Sequence, residues 1–250
     1  MKKIQLDAHL ILGDVHAPYH HLPSMSLVFA LLDRFQFKSV GSVGDICDGK
    51  GASRHSPTGL RQKAETLLYE LDCTEWLASE IQEAAKTDCW ITLGNHDRWP
   101  QRYLAAHRSL GSPAEFNLAS RLRALGWGVT PYQRSKKLTE HLDVTHDFGM
   151  AGKSAVMAAP SKYGRNVIFG HTHKACVYFE GSVEGKLKVS MNVGWLGDPT
   201  RFETLWRDRD QLLEDFFELA KAQSEAFESE LAACVLIQRV WRGTSCRLRL

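Results

Sequence analysis

The sequence lacks a disulfide framework and any long apolar run. Its six cysteines are scattered through 250 residues without a Cys-x-x-Cys pair, which does not fit a disulfide-stapled fold. Cys47 lies inside one of the polar motifs described below, where oxidation would threaten it, and this favours a reducing compartment. No stretch approaches the roughly 20 apolar residues that cross a bilayer, so no membrane partner is expected.

The amino terminus and the net charge exclude few further classes of protein. Lys2 and Lys3 imitate the basic start of a signal peptide, but the polar residues at 5, 7 and 9 interrupt any apolar region after it. We therefore expect a cytoplasmic protein. The net charge of +2 neither supports nor excludes nucleic acid as a partner, because both signs are mixed along most of the chain.

No internal repeat, low-complexity segment or proline-rich linker divides the chain. The first half alternates apolar runs that end in glycine with segments of helical spacing, which predicts strands at 8–12, 37–43 and 89–93 and helices at 22–35, 59–86, 99–109 and 114–125. The second half predicts strands near 127–132, 141–146, 166–170, 175–181 and 185–193. We predict an α/β fold over residues 1–200 and a helical extension over 201–250.

Five short polar motifs occur where predicted strands end. Each contains a carboxylate, carboxamide or imidazole group. They are Asp14-Val-His16, Gly44-Asp45-Ile-Cys-Asp48, Gly94-Asn95-His96-Asp97, Thr145-His146 and Gly170-His171-Thr-His173. Ligands bind at the carboxyl ends of strands in α/β sheets, so the motifs should converge along one sheet edge. Together they supply enough ligands for two metal ions about 3.5–4 Å apart, as in enzymes that attack phosphate esters.

Each motif also has a purely structural interpretation. Asp45 could cap a helix, Gly94-Asn95 favours a turn, and an isolated histidine such as His146 is more often structural. Metal binding has its own physical basis, because the two oxygens of Asp45 can bridge two cations. His171 and His173 point the same way on an extended segment. Capping and packing explain five such coincidences poorly, so we favour metal binding.

The five motifs resemble those of the calcineurin-like metallophosphoesterase superfamily. Its order is Asp-x-His, Gly-Asp-x-x-Asp, Gly-Asn-His-Asp/Glu, a lone His and Gly-His-x-His. The resemblance runs from about residue 8 to 195 and includes Asn192-Val-Gly194. The length and spacing are similar to the compact members of phage and bacterial genomes. The resemblance implies two packed mixed β-sheets flanked by α-helices, in α-β-β-α layers.

The resemblance also implies a role for each motif residue. One metal ion would be held by Asp14, His16, Asp45 and His173, and the other by Asp45, Asn95, His146 and His171. His96 would stabilise the transition state or protonate the leaving group, and Asp48 would orient its imidazole. Near the second and third motifs, Arg54 and Arg98 are candidates for binding substrate phosphate.

This ligand set predicts a dinuclear phosphoesterase in which a metal-bridging hydroxide attacks the ester. Mn²⁺ is the first choice of metal, with Fe, Zn²⁺ or Ni²⁺ as alternatives. We expect a phosphodiesterase that acts on a nucleotide or nucleic acid, and Trp99 could stack on a base, although core packing is the commoner fate of a tryptophan. A phosphomonoesterase acting on a small molecule or a phosphoprotein is the alternative.

Two positions differ from the Ser/Thr protein phosphatases of this superfamily and count against that class. Gly49 follows Asp48 where those enzymes have arginine, and Asp97 stands where they have glutamate. Asp147 follows His146 where the family usually has glycine, which makes His146 the weakest ligand assignment. A non-catalytic scaffold of the same fold is the alternative from another functional class, but such a protein would be expected to lack ligands that this sequence retains.

The carboxyl-terminal extension carries one further motif. Residues 237–247 fit the spacing of an IQ motif, which could recruit a calmodulin-like partner through a basic amphipathic helix. We favour a different interpretation, in which the helical residues from 201 to about 241 pack on the domain or on a second copy of the chain.

Overall fold

The computed structural model describes residues 3–52, 60–106, 115–150, 154–181 and 187–198. Arg54 and the extension 201–250, with its proposed oligomer contact and IQ-like motif, lie outside the described residues. The domain boundary at residue 200 therefore stays a prediction. Within the described ranges, no helix combines the length and the apolar character that a membrane span needs.

The first half of the chain alternates strands with helices. In chain order its elements are β1 (Ile4–Gln5), β2 (His9–Leu12), α1 (Leu22–Arg34), β3 (Phe35–Gln36), β4 (Ser39–Ser42), α2 (Leu60–Ala85), β5 (Asp88–Thr92), α3 (Trp99–Ala106), α4 (Leu118–Ala124) and β6 (Gly128–Thr130). Strands β2, β4, β5 and β6 form a parallel sheet in that order. The short strands β1 and β3 pair separately.

The second half forms a mixed five-stranded sheet. Its elements are β7 (Lys136–Thr139), β8 (Leu142–Val144), α5 (Ser154–Tyr163), β9 (Asn166–Phe169), β10 (Cys176–Gly181) and β11 (Leu187–Asn192). The strand order is β10-β11-β9-β8-β7, with parallel pairs at the centre and an antiparallel pair at each edge. Strand β7 was not predicted, because an edge strand of sequence Lys-Lys-Leu-Thr shows little apolar alternation.

The two sheets pack face to face through an apolar layer. Val43 and Trp90 from the first sheet meet Val144 and Ile168 from the second, and each is at most 5% exposed. Alternate residues of the same strands face outward, where helices α1, α2 and α4 cover the first sheet and α5 covers the second. The predicted α/β fold of two packed sheets flanked by helices is confirmed, with the second sheet mixed as predicted and the described strands of the first sheet all parallel.

One glycine is required for this packing. Gly41 of β4 lies beside Trp90 of β5, and a Cβ at Gly41 would lie 2.2 Å from the indole ring. No larger residue fits there unless the ring moves. The absence of a side chain at Gly41 therefore leaves room for the Trp90 ring between the sheets.

Candidate metal centre

The loops after β2, β4, β5, β8 and β9 bring the five motifs to one place. Parallel strands end at a common edge, which is why motifs far apart in sequence meet. Four of the candidate ligands, Asp14, His16, Asp45 and His146, are at most 1% exposed. Burying polar groups is costly unless they are paired or bind an ion, so the site needs an explanation beyond packing.

The first group of donor atoms comprises Asp14, His16, Asp45 and His173. One ligand atom of each lies within 4.8 Å of the others. Nε2 of His173 is 3.2 Å from Oδ2 of Asp14 and 3.2 Å from Nε2 of His16. These four residues are the set that the family resemblance assigns to one ion.

The second group comprises Asp45, His146 and His171, again within 4.8 Å. Oδ1 of Asn95 lies 3.0 Å from Nε2 of His146 and 2.9 Å from Nδ1 of His171. Oδ2 of Asp45 is 3.2 Å from Nε2 of His146. The structure therefore brings all seven candidate ligands together, and Asp45 belongs to both groups.

Four of these residues have a left-handed backbone. The φ angles are 54° at His16, 47° at Asp45, 67° at His171 and 57° at His173. Among the described non-glycine residues, only two others have positive φ. Such conformations cost about 1–3 kcal/mol each and cluster at functional sites. Left-handed backbone at described non-glycine residues therefore occurs mainly at the candidate ligands.

Two glycines make room for the aspartates. A Cβ on Gly94 would lie 2.0 Å from Oδ1 of Asp45, and a Cβ on Gly170 would lie 2.1 Å from Oδ1 of Asp14. Gly170 belongs to the second sheet and Asp14 to the first. The glycine that opens the fifth motif thus allows the two halves of the site to approach each other.

Asp97 and Asn192 hold the loops in place. The carboxylate of Asp97 accepts hydrogen bonds from the backbone N–H groups of Asp45 at 2.9 Å, Cys47 at 3.1 Å and Gly94 at 2.8 Å. Asn192 donates to the carbonyl of Gly170 at 2.5 Å. Sequence reasoning missed these roles, although an aspartate three residues after a turn glycine often accepts from its own turn.

Asp48 contacts His96 differently from the prediction. Its carboxylate Oδ1 lies 2.9 Å from Nδ1 of His16 but 4.0 Å from Nδ1 of His96. Nδ1 of His96 donates instead to the backbone carbonyl of Asp48, at 2.5 Å. The Asp48 backbone therefore orients His96, and its carboxylate orients His16. Since a carbonyl only accepts, Nε2 is the His96 atom left for a substrate.

Burial and the neighbouring carboxylates change the pKa values of the histidines in the site. Burial lowers the pKa of His146, but the nearby carboxylates of Asp45 and Asp14 outweigh it and raise the value to about 9. Burial also opposes ionisation of His16, yet its carboxylate neighbours raise its pKa. Burial keeps the pKa of His96 below its usual value. The carboxylates thus favour the positively charged forms of the two buried histidines, His16 and His146.

The donor set fits divalent metal ions. Oδ1 of Asp14 is buried and has no hydrogen-bond partner among the described residues. His146 donates Nδ1–H to the carbonyl of Val43 at 3.2 Å, and its Nε2 lies among the other donors. His16 has the same arrangement, with Nδ1 held by the Asp48 carboxylate. Metal-binding histidines typically have one ring nitrogen fixed in this way, so these buried groups can hold metal ions.

Two tryptophans lie against histidines of the site. Trp99 stacks on His96 with ring centroids 3.8 Å apart and an interplanar angle of 30°. Trp195 stacks on His173 at 5.2 Å and 6°. Both indoles are half-buried. Sequence reasoning missed Trp195, which follows the last motif at a distance and reaches the site through a backbone bridge with Asp14.

The two candidate arginines have different outcomes. Arg98 is exposed, and its guanidinium lies 5.2 Å from the ring centroid of Tyr132. It follows His96 by two residues, which places its backbone at the rim of the centre. Arg54 falls outside the described residues, so its role in phosphate binding stays a prediction.

Comparisons with known proteins add little to this geometry. No family model matches the sequence, and no curated protein matches it. The structure is similar to that of the nuclease MPE from Pseudomonas putida, with a TM-score of 0.37 and 13% identity over 79% of this chain and 75% of that chain. A likeness at that level shows nothing about function, which must follow from the residues of the site themselves.

Proposed function

We propose that this chain is a phosphodiesterase with a dinuclear metal centre, acting on a nucleotide or nucleic acid. The observation that carries the proposal is the position of Asp45, which belongs to both groups of donor atoms. A carboxylate shared by two neighbouring groups is what a pair of ions about 3.5–4 Å apart requires. Two bound divalent ions would activate a water molecule and offset the charge on the attacking and leaving oxygens.

His96 supplies the chain's own acid. Its ring is fixed by the hydrogen bond from Nδ1 to the Asp48 carbonyl, so the imidazolium can donate a proton to a leaving oxygen only through Nε2. Burial lowers its pKa, which makes the imidazolium a stronger acid toward an alkoxide leaving group. The side chain is 21% exposed, which leaves it accessible to a substrate.

The surrounding side chains favour a nucleotide over a simple ester. Trp99 and Trp195 flank the donor groups and are partly exposed, and stacking of a base on a tryptophan contributes roughly 1–3 kcal/mol. Arg98 is an exposed cation at the rim, and arginine pairs well with phosphate. Aromatic and cationic groups around a metal centre match the two parts of a nucleotide.

The activity can be tested with a chromogenic diester. Purified protein supplied with Mn²⁺ should hydrolyse bis-p-nitrophenyl phosphate. With a dinucleotide, whose leaving group is an alkoxide, His96→Ala should lower kcat by about 10²–10⁴-fold, the usual contribution of a general acid. The matched control is His141→Ala, because His141 is 80% exposed and lies between β7 and β8, away from the five motifs; its kcat should equal that of the unaltered protein.

Three results would contradict the proposal. Unchanged kcat in His96→Ala would show that His96 is not the general acid. Faster turnover of p-nitrophenyl phosphate than of the diester would favour the phosphomonoesterase. No turnover of either ester in protein that holds two equivalents of metal would favour the non-catalytic scaffold.

A further inference from the structure

A cavity lies at the end of the first sheet that is opposite to the candidate metal centre. Its volume is about 630 Å³, and its wall includes the first residues of β2, β4 and β5, which are His9, Ser39 and Asp88. Asp14, Asp45 and Asn95 follow the carboxyl ends of these same strands, so the two sites are separated by the length of the sheet. The volume falls within the roughly 300–1,000 Å³ of small-ligand sites.

Three lysines set the charge of this cavity. Lys38 comes from the turn before β4, and Lys136 and Lys137 come from β7 of the other sheet. Asp88 is the one acidic residue among the described residues that line it. Asp7 pairs with Lys38 and offsets part of the charge. Three ammonium groups thus stand against two carboxylates at this cavity, an excess of one positive charge.

Three residues that line the cavity form a partly buried hydrogen-bonded chain. Nε1 of Trp90 donates to Oγ of Ser39 at 2.9 Å, and Oγ of Ser39 lies 2.7 Å from Nδ1 of His9. Because the indole fills an acceptor position on Oγ, the serine hydroxyl can donate to His9. Burial and the charge of Lys38 keep the pKa of His9 low, and the neutral ring then offers Nε2–H as a donor.

We propose that this cavity binds an oligophosphate group, either free or carried by a nucleotide. Ammonium groups from three backbone positions can contact several phosphate oxygens at once, whereas a single carboxylate would use only part of the charge. Lys136 lies over the Trp90 ring, 5.3 Å from its centroid, so that ring is not open for stacking with a base. Recognition therefore rests on the phosphates, and it does not depend on the proposed phosphodiesterase activity.

The test is calorimetric titration with tripolyphosphate and, separately, with ADP, in chelator and at low ionic strength. One molecule of each should bind per chain, and the affinity should fall as salt is added. The double variant Lys38→Gln, Lys136→Gln should raise Kd at least tenfold. Lys188→Gln is the matched control, because Lys188 pairs with Glu180 on the other edge of the second sheet; its Kd should stay unchanged.

Further variants separate this cavity from the metal centre. Asp45→Asn should leave the Kd for tripolyphosphate unchanged, and the double lysine variant should keep its turnover of bis-p-nitrophenyl phosphate. If the double variant melts at a lower temperature, the exposed Lys137→Gln alone should still raise Kd severalfold. The proposal is overturned if the lysine variants bind normally, if Asp45→Asn abolishes binding, or if neither probe binds. Binding of ADP without tripolyphosphate would also overturn it, since a base would then be required.

Discussion

The loops that follow the first sheet carry every oxygen donor of the candidate metal centre, whereas those that follow the second sheet carry only imidazoles. Asp14, Asp45 and Asn95 come from the first sheet. His146, His171 and His173 come from the second. Both donor groups contain members from both sheets, so neither half of the molecule forms a site by itself.

Because each donor group draws residues from both sheets, the site is complete only when the two sheets are packed together. Some polar contacts between the halves involve the ligands themselves, since the backbone N–H of His171 donates to Asp14 at 2.8 Å and His146 donates to the carbonyl of Val43 at 3.2 Å. The apolar layer beneath holds the sheets together without them. Loss of a ligand should therefore affect chemistry more than folding.

The strongest test of this division is Asp45→Asn, because Asp45 alone belongs to both donor groups. The amide keeps the shape of the side chain and can still accept the hydrogen bond from the backbone of His96. We expect kcat on the diester to fall at least about thousandfold, near 4 kcal/mol, and bound metal to drop below two equivalents. Kinetics and elemental analysis measure both quantities.

Asp33→Asn is the control for this substitution, since Asp33 is exposed on α1 and should leave activity and metal content unchanged. If Asp45→Asn retained two equivalents of metal and full activity, Asp45 would not bridge the donor groups.

A second prediction concerns stability. Ions held by residues from both sheets should bind only the folded chain, and at a free concentration of 100 times Kd each would stabilise it by about 2.7 kcal/mol. A chelator should therefore lower the melting temperature of the unaltered protein. The same chelator should have a smaller effect on Asp45→Asn. An equal effect on both proteins would show that the ions do not link the halves through Asp45.

Sequence reasoning could predict the parts of the site that follow from local rules. Glycine after an apolar run ends a strand, and parallel strands end at one edge, so the convergence of Asp45, Asn95 and His171 followed from strand order. The family resemblance supplied the division of these ligands into two groups.

The remaining features depend on three-dimensional packing. The bond between His96 and the Asp48 carbonyl depends on the path of a turn, and Trp195 reaches His173 through a backbone bridge. The lysine-lined cavity requires β7 to lie near the amino ends of the first sheet. Spacing along the chain encodes none of these distances.

The smallest predicted effect is a pH dependence of the unfolding free energy that arises from one buried carboxyl group in the first half of the molecule. Glu70 of α2 is buried with 0% exposure, and one of its carboxyl oxygens accepts from the backbone of Gly51 at 3.1 Å. Burial raises its pKa from 4.5 to about 8. The folded state thus keeps a proton that the unfolded state releases. This contribution to stability is complete below pH 4.5 and is lost as the pH rises through 8.

Between pH 6 and pH 9 the unaltered protein should therefore lose about 2.6 kcal/mol of unfolding free energy relative to Glu70→Gln, because a neutral amide carries no such proton. Urea denaturation at the two pH values measures the difference. Glu140→Gln is the control, since Glu140 is 83% exposed and should follow the unaltered protein. Parallel pH profiles for Glu70→Gln and the unaltered protein would show that Glu70 is ionised in the folded state at pH 6, and that the first half tolerates its charge.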